Sequence, residues 1–449
     1  MQRVLSRPFG RLLNQKLEEM IPTVRDRVKN LQKSHGDKVV DQVKIGNIVG
    51  GMRDMPVMFY VGSQLDAQEG IRMRGNSIPE MTEMLPKVET EMIPEAVFWM
   101  LLTGKAPSEK ELAEMQKDII STRPLPKSTQ ELIENYATAH HPMTTLSMAI
   151  MDMQRHSAFA SGYANNTLKK ADYWQATLTD GLFLLKFLPQ ICALIYTTKF
   201  NRTALTPQNS DWAGIYSELL GFKDPVMAEA LRGYLSIHTD HEGGNVSAHT
   251  SWLVNSALSD PFLSVSAAVN GLAGPLHGLA NQEVLKFLMT LQEHLHYKKV
   301  QIASSSDPSL LQAIEDFTND WLKKAVVPGY GHAKLRNTDP RFTFLKEQSL
   351  RYLPDKELVK LVHACEQVIP QVLKKLGKVK NPYPNVDSHS GVILYELGMT
   401  EFDYYTVVFA LSRSMGCIAN MVWARALGLP IERPGSLTLE KLEELAQQN

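Results

Sequence analysis

The chain has 449 residues, of which 44% are hydrophobic, and its 47 Lys and Arg nearly balance its 48 Asp and Glu. This balance gives no electrostatic reason to expect nucleic acid or a membrane surface as a general partner. The length allows up to three domains. The three cysteines, Cys192, Cys365 and Cys417, form no CxxC pair, so we expect a reducing compartment and no disulfide framework.

The N-terminal segment, Met1 to Gln15, carries three arginines and no acidic residue. This composition fits a mitochondrial transit peptide or its remnant, and it fits equally an ordinary basic first turn of a helix. The most apolar long segment, Gly181 to Tyr196, is interrupted by Lys186, Pro189 and Gln190. We therefore predict no transmembrane helix and no membrane insertion.

Helical spacing of apolar residues dominates the chain. A first helix is predicted from Leu13, with a new helix start at Pro22 and a stop at Gly36. Short strands are predicted at Lys38 to Ile45 and at Met55 to Tyr60. Strands and helices do not alternate, which argues against a parallel sheet.

Two later helices are distinct in composition. The small residues between Leu263 and Leu279 predict a buried central helix that ends in a loop at Pro275. An apolar stripe predicts a helix over Asp355 to Lys375, kinked or restarted at Pro370. His363 lies off that stripe and is predicted to be exposed.

Three histidines, His238, His241 and His249, lie close together in the segment HTDHEGGNVSAHT. The first two would share one face of a helix, which would suit a metal site. However, Gly243 and Gly244 interrupt any helix before His249, and no HExxH is present. A helix end whose histidines face a cleft is the favoured alternative.

His277 lies in the segment GLAGPLHGLANQEVL. Because Pro275 suits the first turn of a helix, His277 is predicted near the N-terminus of a helix that runs to about Leu291. The helix dipole there disfavours imidazolium, and a neutral His could donate a hydrogen bond to a developing oxyanion. The alternative is a His that caps its own helix.

The stretch VVPGYGHAKLRNTDPR, Val326 to Arg341, lacks the third glycine of a GxGxxG motif, so we reject a Rossmann site. Its glycine-rich loop carries His332, which is followed by Lys334, Arg336 and Arg341. Such a loop can offer backbone groups and cations to an anionic ligand.

Two arginines near the C-terminus are further candidates. Arg413 interrupts an otherwise apolar helix, and a buried arginine needs a partner. That partner is either a protein carboxylate or a substrate carboxylate held bidentately. Arg433, between Glu432 and Pro434, could bind the same ligand or form a surface ion pair.

The segment NPYPNVDSHSG holds one carboxylate, Asp387, behind Pro382 and Pro384. The prolines predict a stiff, non-helical segment next to the start of a helix. A rigidly held carboxylate suits a general base, and a helix N-cap is the alternative. One Asp, several His and several Arg together suit carbanion chemistry on a multiply anionic substrate.

With GGMRDM and LDAQEGIRMRGNSIPE, these motifs follow one another in the order found in citrate synthases, and from about Ile21 to Pro434 the chain resembles the eukaryotic mitochondrial type. The resemblance implies an all-α homodimer with two helical domains. A small domain, residues 278–391, is inserted in a large domain, residues 1–277 and 392–449, and closes over the cleft. The implied activity is condensation of acetyl-CoA with oxaloacetate and hydrolysis of citryl-CoA, in the mitochondrial matrix. It implies no metal and no permanently bound cofactor, with acetyl-CoA as co-substrate.

The resemblance also implies roles for single residues. Asp387 would abstract the methyl proton of acetyl-CoA, and His277 would stabilise the enol at the thioester oxygen. His332 would protonate the oxaloacetate carbonyl as carbon attacks. The residues expected to bind oxaloacetate are His241, Arg341, Arg413 and, from the partner subunit, Arg433.

CoA would be held by backbone groups of one loop and by scattered cations. The expected contacts are Val326, Val327, Gly329, Tyr330, Gly331, Arg53, Lys170, Arg336 and Lys380. Lys170 stands where similar enzymes place an arginine, and a lysine keeps the charge but loses the bidentate fork.

Three other functions stay open at this point. A 2-methylcitrate synthase would use propionyl-CoA with the same catalytic residues, and pocket size would decide between the two. A metal-dependent hydrolase could be built on His238, His241 and His249, which metal analysis would test. A structural or filament protein could use the same scaffold.

Overall fold

The structure is a computed structural model that describes residues 10–53, 55–120 and 123–447. Within these ranges the chain is mostly helical, with 63% helix and 3% strand, which confirms the predicted all-α class. Strands occur in two small antiparallel pairs, so the prediction against a parallel sheet is also confirmed. Residues 1–9 lie outside the described part, and so does most of the basic segment considered as a transit peptide.

Thirteen helices precede the predicted small domain in the described chain. They are α1 (Arg11–His35), α2 (Ile45–Val49), α3 (Ile78–Met84), α4 (Pro94–Thr103), α5 (Glu109–Ile119), α6 (Lys127–Tyr136), α7 (Pro142–Met153), α8 (Ala158–Ala164), α9 (Tyr173–Phe200), α10 (Trp212–Leu219), α11 (Pro225–Ile237), α12 (Val246–Ser256) and α13 (Pro261–Leu272). Two hairpins separate the first of these helices. Their strands are β1 (Ser63–Asp66) with β2 (Gly70–Met73), and β3 (Lys87–Val88) with β4 (Glu91–Met92).

A second group of helices packs largely against itself. Its members are α14 (Ala280–Tyr297), α15 (Pro308–Trp321), α16 (Pro340–Tyr352), α17 (Glu357–Leu376) and α18 (Asp387–Glu396). Within the group α14 contacts α18 and α15 contacts α17, while α16 and α18 also reach α11. The chain then ends in α19 (Tyr405–Leu427) and α20 (Leu439–Gln447). The domain boundaries at residues 278 and 391 stay a prediction.

Four helices begin in the same way. An Asp side chain accepts backbone N–H groups of the first turn, and a proline occupies the first helical position, where its missing N–H and fixed φ do no harm. The capped helices are α11, α13, α15 and α16, and their caps are Asp224, Asp260, Asp307 and Asp339. These local signals fix where the helices that surround the cleft start.

Helices α9 and α19 form the centre of the core. Every residue of α19 is buried, and both helices are long and apolar enough to cross a membrane by length and composition alone. Their burial inside the protein accounts for that composition without a membrane. The two helices approach closely where Gly181 faces Ile418, since a Cβ at Gly181 would lie 2.3 Å from Ile418 Cγ2.

Several local predictions were wrong. No strand forms at Lys38 to Ile45 or at 55–60, and the hairpins lie elsewhere. Helix α1 continues through Pro22, and α17 continues through Pro370. Tertiary packing explains this outcome for α17, because apolar residues on both sides of Pro370 are buried against the core. In α1 the buried residues, Leu13, Leu17 and Ile21, all precede Pro22.

Two histidine environments also differ from prediction. His363 is only 6% exposed, because the ends of α16 and α18 cover it with Ser349 and His389. The buried helix before His277 ends at Leu272, and α14 starts only at Ala280. His277 therefore lies in the loop before α14, and Pro275 does not open that helix.

The contact between α9 and α19 gives a first prediction. Gly181→Ala should lower the free energy of unfolding by about 1–3 kcal/mol, because the new methyl group overpacks against Ile418. Denaturant unfolding measures the change. The matched control is Gly46→Ala in α2, where a Cβ meets nothing within 4 Å and alanine should be neutral or stabilising. Equal stability of the two variants would contradict the close approach.

Candidate active site

Six segments bring the predicted site residues towards one cleft. The C-terminal end of α11 continues into the segment with His241, and the loop before α14 supplies His277. The loop after α15 supplies His332, while α16, α18 and α19 carry Arg341, Asp387 and Arg413. The segment after α11 is not helical, so His238 and His241 do not share a helical face as predicted.

His277 has a defined tautomer. The backbone N–H of Ser247 donates to its Nε2 at 3.3 Å, and the Ser247 hydroxyl lies 3.0 Å from the same atom. Burial, with the nearby positive charges of Arg413 and Arg341, lowers the pKa of His277 to about 4. The ring is therefore neutral at pH 7, and its proton lies on Nδ1, available to a hydrogen-bond acceptor in the cleft.

His332 has the opposite tautomer. Its Nδ1 accepts two backbone N–H groups, from Lys334 at 3.0 Å and from Leu335 at 3.1 Å. A neutral ring bonded in this way carries its proton on Nε2. The ring centroids of His332 and His241 are 5.7 Å apart in an edge-to-face arrangement.

His241 is buried with an unused polar atom. Its side chain is 6% exposed, and its Nε2 has no hydrogen-bond partner within the described residues. Burial is the main cause that holds the pKa of His241 well below its usual value, and electrostatic interactions with Arg341, His332 and Arg413 add to it. An unpaired buried imidazole nitrogen beside two arginines fits direct contact with an anionic ligand.

Asp387 is the first residue of α18, so the predicted non-helical carboxylate lies at the helix start itself. It does not act as the cap, because Val386 holds the N-cap position and no side-chain cap bond forms. Its own backbone N–H donates to Asn385 Oδ1 at 3.0 Å. Burial raises the pKa of Asp387 to about 6, against the lowering effect of Arg341. A carboxylate with this pKa is ionised at neutral pH and still basic enough to take a proton.

The two central arginines are buried in different ways. Arg341 forms a bidentate pair with Asp339, with Nε and Nη2 at 3.1 and 2.7 Å from the carboxylate oxygens. Arg413 has neutral partners instead: the His238 carbonyl, Asn245 Oδ1 at 2.9 Å and Ser247 Oγ at 3.2 Å. Its guanidinium carries no direct carboxylate pair within the described residues, which fits the prediction that it awaits a substrate carboxylate.

The predicted CoA loop is tied to the Asp387 segment. Gly331 N–H donates to the Tyr383 carbonyl at 3.0 Å, and Asn385 N–H donates to the Gly329 carbonyl at 2.9 Å. Tyr330 forms an isolated bridge with Pro384. Val326 is 81% exposed and Val327 is buried, so the loop presents one apolar side chain to solvent.

The predicted cations around CoA are dispersed. Arg336 donates to the carbonyls of Ala333, Lys334 and Leu335, which folds it back on its own loop. The structure does not bring the other predicted cations into the histidine cluster. The exposed ones are Arg53, Lys170, Lys380 and Arg433.

The proposed histidine metal site does not form. His249 Nε2 lies 2.7 Å from Glu432 Oε1. The His238 ring stacks on the Tyr234 ring, and its Nδ1 lies 2.7 Å from the Tyr234 carbonyl oxygen. Among the residues that the structure describes, no group of three or more His, Cys, Asp or Glu could hold a metal ion.

Three important residues were missed from the sequence. Asp339 pairs with Arg341, and its position before Pro340 was a readable N-cap signal. Asp240 accepts hydrogen bonds from Tyr60, Ser63 and Asn420 and so fixes the backbone beside His241. No local pattern indicates Ser247, because its bond to the catalytic loop depends on tertiary packing.

These features define an enzyme of acid–base chemistry, with neutral histidines, a buried carboxylate and buried arginines in an all-helical cleft. The chain belongs to the citrate synthase family. The family model described as citrate synthase, C-terminal domain, matches residues 51–435. This match covers the whole cluster from His241 to Arg433.

Relatives of known name agree over nearly the full length. The mitochondrial citrate synthase of Tetrahymena thermophila is 45% identical over 439 residues, covering 95% of this chain and 93% of that protein. The mitochondrial citrate synthase of Xiphias gladius is 45% identical over 435 residues, covering 96% and 90%. These relatives confirm the predicted citrate synthase activity and mitochondrial assignment.

Solved structures confirm the fold. The citrate synthase of Pyrobaculum aerophilum superposes with a TM-score of 0.73 at 25% identity, covering 90% of this chain and 97% of that one. The citrate synthase of Thermoplasma acidophilum, solved with carboxymethyl coenzyme A and oxaloacetate, has a TM-score of 0.70 at 20% identity, covering 89% and 97%. The dimer, the domain boundaries and the single-residue roles stay predictions.

Proposed function

We propose that the cluster of His241, His277, His332 and Asp387 is where the protein condenses acetyl-CoA with oxaloacetate and then hydrolyses citryl-CoA. The observation that carries the proposal is the pairing of two neutral histidines of opposite tautomer with one buried carboxylate. His277 offers Nδ1–H and His332 offers Nε2–H, while Asp387 is a base with a pKa of about 6.

In the first step, Asp387 takes a methyl proton from acetyl-CoA. A thioester α-proton is far too weakly acidic for a carboxylate alone, so charge on the thioester oxygen must be stabilised as it develops. His277 Nδ1–H supplies that hydrogen bond. Because its pKa is about 4, the ring stays neutral and donates its hydrogen bond without a full positive charge.

In the second step, the enol carbon attacks the ketone carbon of oxaloacetate. A C–C bond forms, the ketone π-electrons move to oxygen, and His332 Nε2–H gives that oxygen a proton. The product is citryl-CoA. The two backbone bonds to Nδ1 fix the His332 ring with its proton on Nε2, and the ring centroid lies 5.7 Å from that of His241.

Oxaloacetate supplies two carboxylates, which fit the buried cations. Arg413 offers its guanidinium without a carboxylate partner of its own, and Arg341 is held in position by Asp339. His241 Nε2 is the unpaired polar atom that meets the ligand. Water then attacks the thioester carbonyl of citryl-CoA and gives a proton back to His332, the C–S bond breaks, and the sulfur takes the proton held by Asp387, so that CoA leaves as the thiol.

CoA and the partner subunit complete the proposed site. The loop Val326–Gly331 holds the adenine through backbone groups, with Arg53, Arg336, Lys170 and Lys380 near its phosphates. The small domain, residues 278–391, closes over the cleft and keeps water from the enol. In the proposed homodimer Arg433, which is exposed in the single chain, reaches the partner's oxaloacetate.

The assignment of Asp387 as the base predicts the effect of Asp387→Asn. The unmodified protein should release CoA thiol only when oxaloacetate is present, with acetyl-CoA strongly preferred over propionyl-CoA. The asparagine variant should lose about 10²–10⁴-fold of this activity, because it has no basic oxygen for the methyl proton. Oxaloacetate binding, measured by calorimetry, should stay nearly intact.

The control for this variant is Asp320→Asn on the exposed face of α15, where Asp320 pairs only with Lys323. It should retain full activity. Near-normal turnover of the Asp387 variant would exclude the assigned role, and a preference for propionyl-CoA would indicate 2-methylcitrate synthesis. Folded protein without activity on either substrate would point to a structural role.

The pKa of Asp387 also predicts a pH profile. Since its pKa is raised to about 6, the base is ionised above that pH and protonated below it. kcat/KM for acetyl-CoA should therefore fall about tenfold for each pH unit below 6. His277 stays neutral down to about pH 4 and adds no second step in this range. A flat profile down to pH 4.5 would contradict the assignment.

The interface role of Arg433 can be tested with mixed dimers. Arg433→Ala and Asp387→Asn homodimers should both be nearly inactive. Random mixing of the two subunits should restore about one quarter of normal activity, because half of the dimers then hold one complete site. If Arg433 served its own subunit, mixing would restore no activity.

A further inference from the structure

We propose that Lys334 and Glu242 form a positioning ion pair that holds His332 against His241 and so sets the affinity for oxaloacetate. The inference rests on the proposed roles of these two histidines. It replaces the expectation that Lys334 offers its charge to an anionic ligand, because that charge is already paired within the protein.

The pair joins the two segments that carry His241 and His332. Lys334 Nζ lies 2.9 Å from Glu242 Oε2, and the side chains are 33% and 26% exposed. Glu242 directly follows His241, and the backbone N–H of Lys334 donates to His332 Nδ1 at 3.0 Å. A movement of either charged side chain is therefore transmitted to a ring in the site.

The Glu242 end of the pair is anchored. Its backbone has φ 58°, in the left-handed region that residues with a Cβ rarely adopt. Its N–H donates to Ser63 Oγ at 2.8 Å, and Asn245 Nδ2 donates to its carbonyl at 2.7 Å. Because this backbone is fixed, the attraction of the pair acts mainly on the segment that carries Lys334.

The pair crosses the predicted domain junction. Glu242 belongs to the predicted large domain and Lys334 to the small one. Two neighbouring contacts cross at the same place: Arg336 N–H donates to the Ala67 carbonyl at 2.7 Å, and Asn337 Nδ2 donates to the Gln68 carbonyl at 2.9 Å. Of these contacts, only the ion pair joins charged side chains.

The surrounding charges favour Glu242 as the partner. The Lys334 charge also contributes to lowering the pKa of Asp66, but the Asp66 carboxylate is occupied by the N–H groups of Gln68 and Glu69. Oxaloacetate binds between His241 and His332 only when the two segments are close. Loss of the ion pair lowers the population of the arrangement in which the two segments are close. The apparent affinity for oxaloacetate falls by the same factor.

The test is a double-mutant cycle with Lys334→Met, Glu242→Gln and the combined variant. Each single variant should raise the KM and the calorimetric Kd for oxaloacetate by about two- to fivefold, the range that a half-exposed ion pair supports. The double variant should exceed neither single variant, since both remove the same interaction. kcat at saturating oxaloacetate should stay within about twofold of the unmodified enzyme, because bound substrate restores the closed arrangement.

The matched control is Lys346→Met. Lys346 pairs with Glu366 at 2.6 Å with similar exposure, 34% and 22%, inside the predicted small domain. This variant should leave the oxaloacetate KM and Kd unchanged.

Three results would overturn the inference: unchanged oxaloacetate Kd in the single variants, additive effects in the double variant, or a fall in kcat together with Tm. The calorimetric Kd separates this inference from the proposed function. An unmodified enzyme that binds oxaloacetate without releasing thiol would contradict the proposed function, and the cycle in Kd would still decide on the ion pair.

Discussion

The buried pair of Arg341 and Asp339 is the interaction on which the rest of the site depends. Asp339 caps α16 and accepts two hydrogen bonds from the Arg341 guanidinium, which fixes the position of this cation. The Arg341 side chain is only 4% exposed, so the pair compensates for burying its charge. Its charge helps to lower the pKa of His241 and His277, and it opposes the rise that burial causes at Asp387. Burial is the main reason why the two imidazoles stay neutral, and this fixed cation adds to that effect while it helps to keep the Asp387 carboxylate ionised at neutral pH.

This arrangement favours catalysis at some expense of stability. The pKa of Asp387 is higher in the folded protein than its usual value, so the folded state binds that proton more tightly than the unfolded chain does. The contribution of Asp387 to stability is therefore greatest at low pH and is lost as pH rises through about 6. His277 has a lowered pKa, so its contribution is lost instead as pH falls towards 4. Burial thus favours the neutral form of both groups: the proposed reaction needs His277 in that form, whereas Asp387 must be ionised in spite of its burial.

Local sequence signals mark several helix starts, although the starts predicted at Pro22 and Pro275 were wrong. The Asp-Pro pairs mark four helix N-termini, and the order of motifs identified the family, while the roles of the single site residues stay predictions. Neither Pro22 nor Pro370 starts a new helix, and at Pro370 the burial of apolar residues on both sides outweighs one lost backbone bond. His363 was missed as a buried residue because its partners, Ser349 and His389, come from other helices. Contacts between side chains of different helices leave no periodic pattern in the sequence.

The backbone also connects CoA binding to the base. The Gly329 carbonyl accepts the N–H of Asn385, and Asn385 in turn positions Asp387 through its side chain and the Gly331 carbonyl through its amide. Gly329 has φ 79°, and a Cβ there would lie 2.5 Å from Ser388 Oγ, so only glycine allows this approach. A loop that shifts to accept CoA must therefore carry the Asp387 segment with it. In the proposed reaction, this connection would bring Asp387 to its working position when the thioester is bound, which would limit proton exchange with water before oxaloacetate reacts.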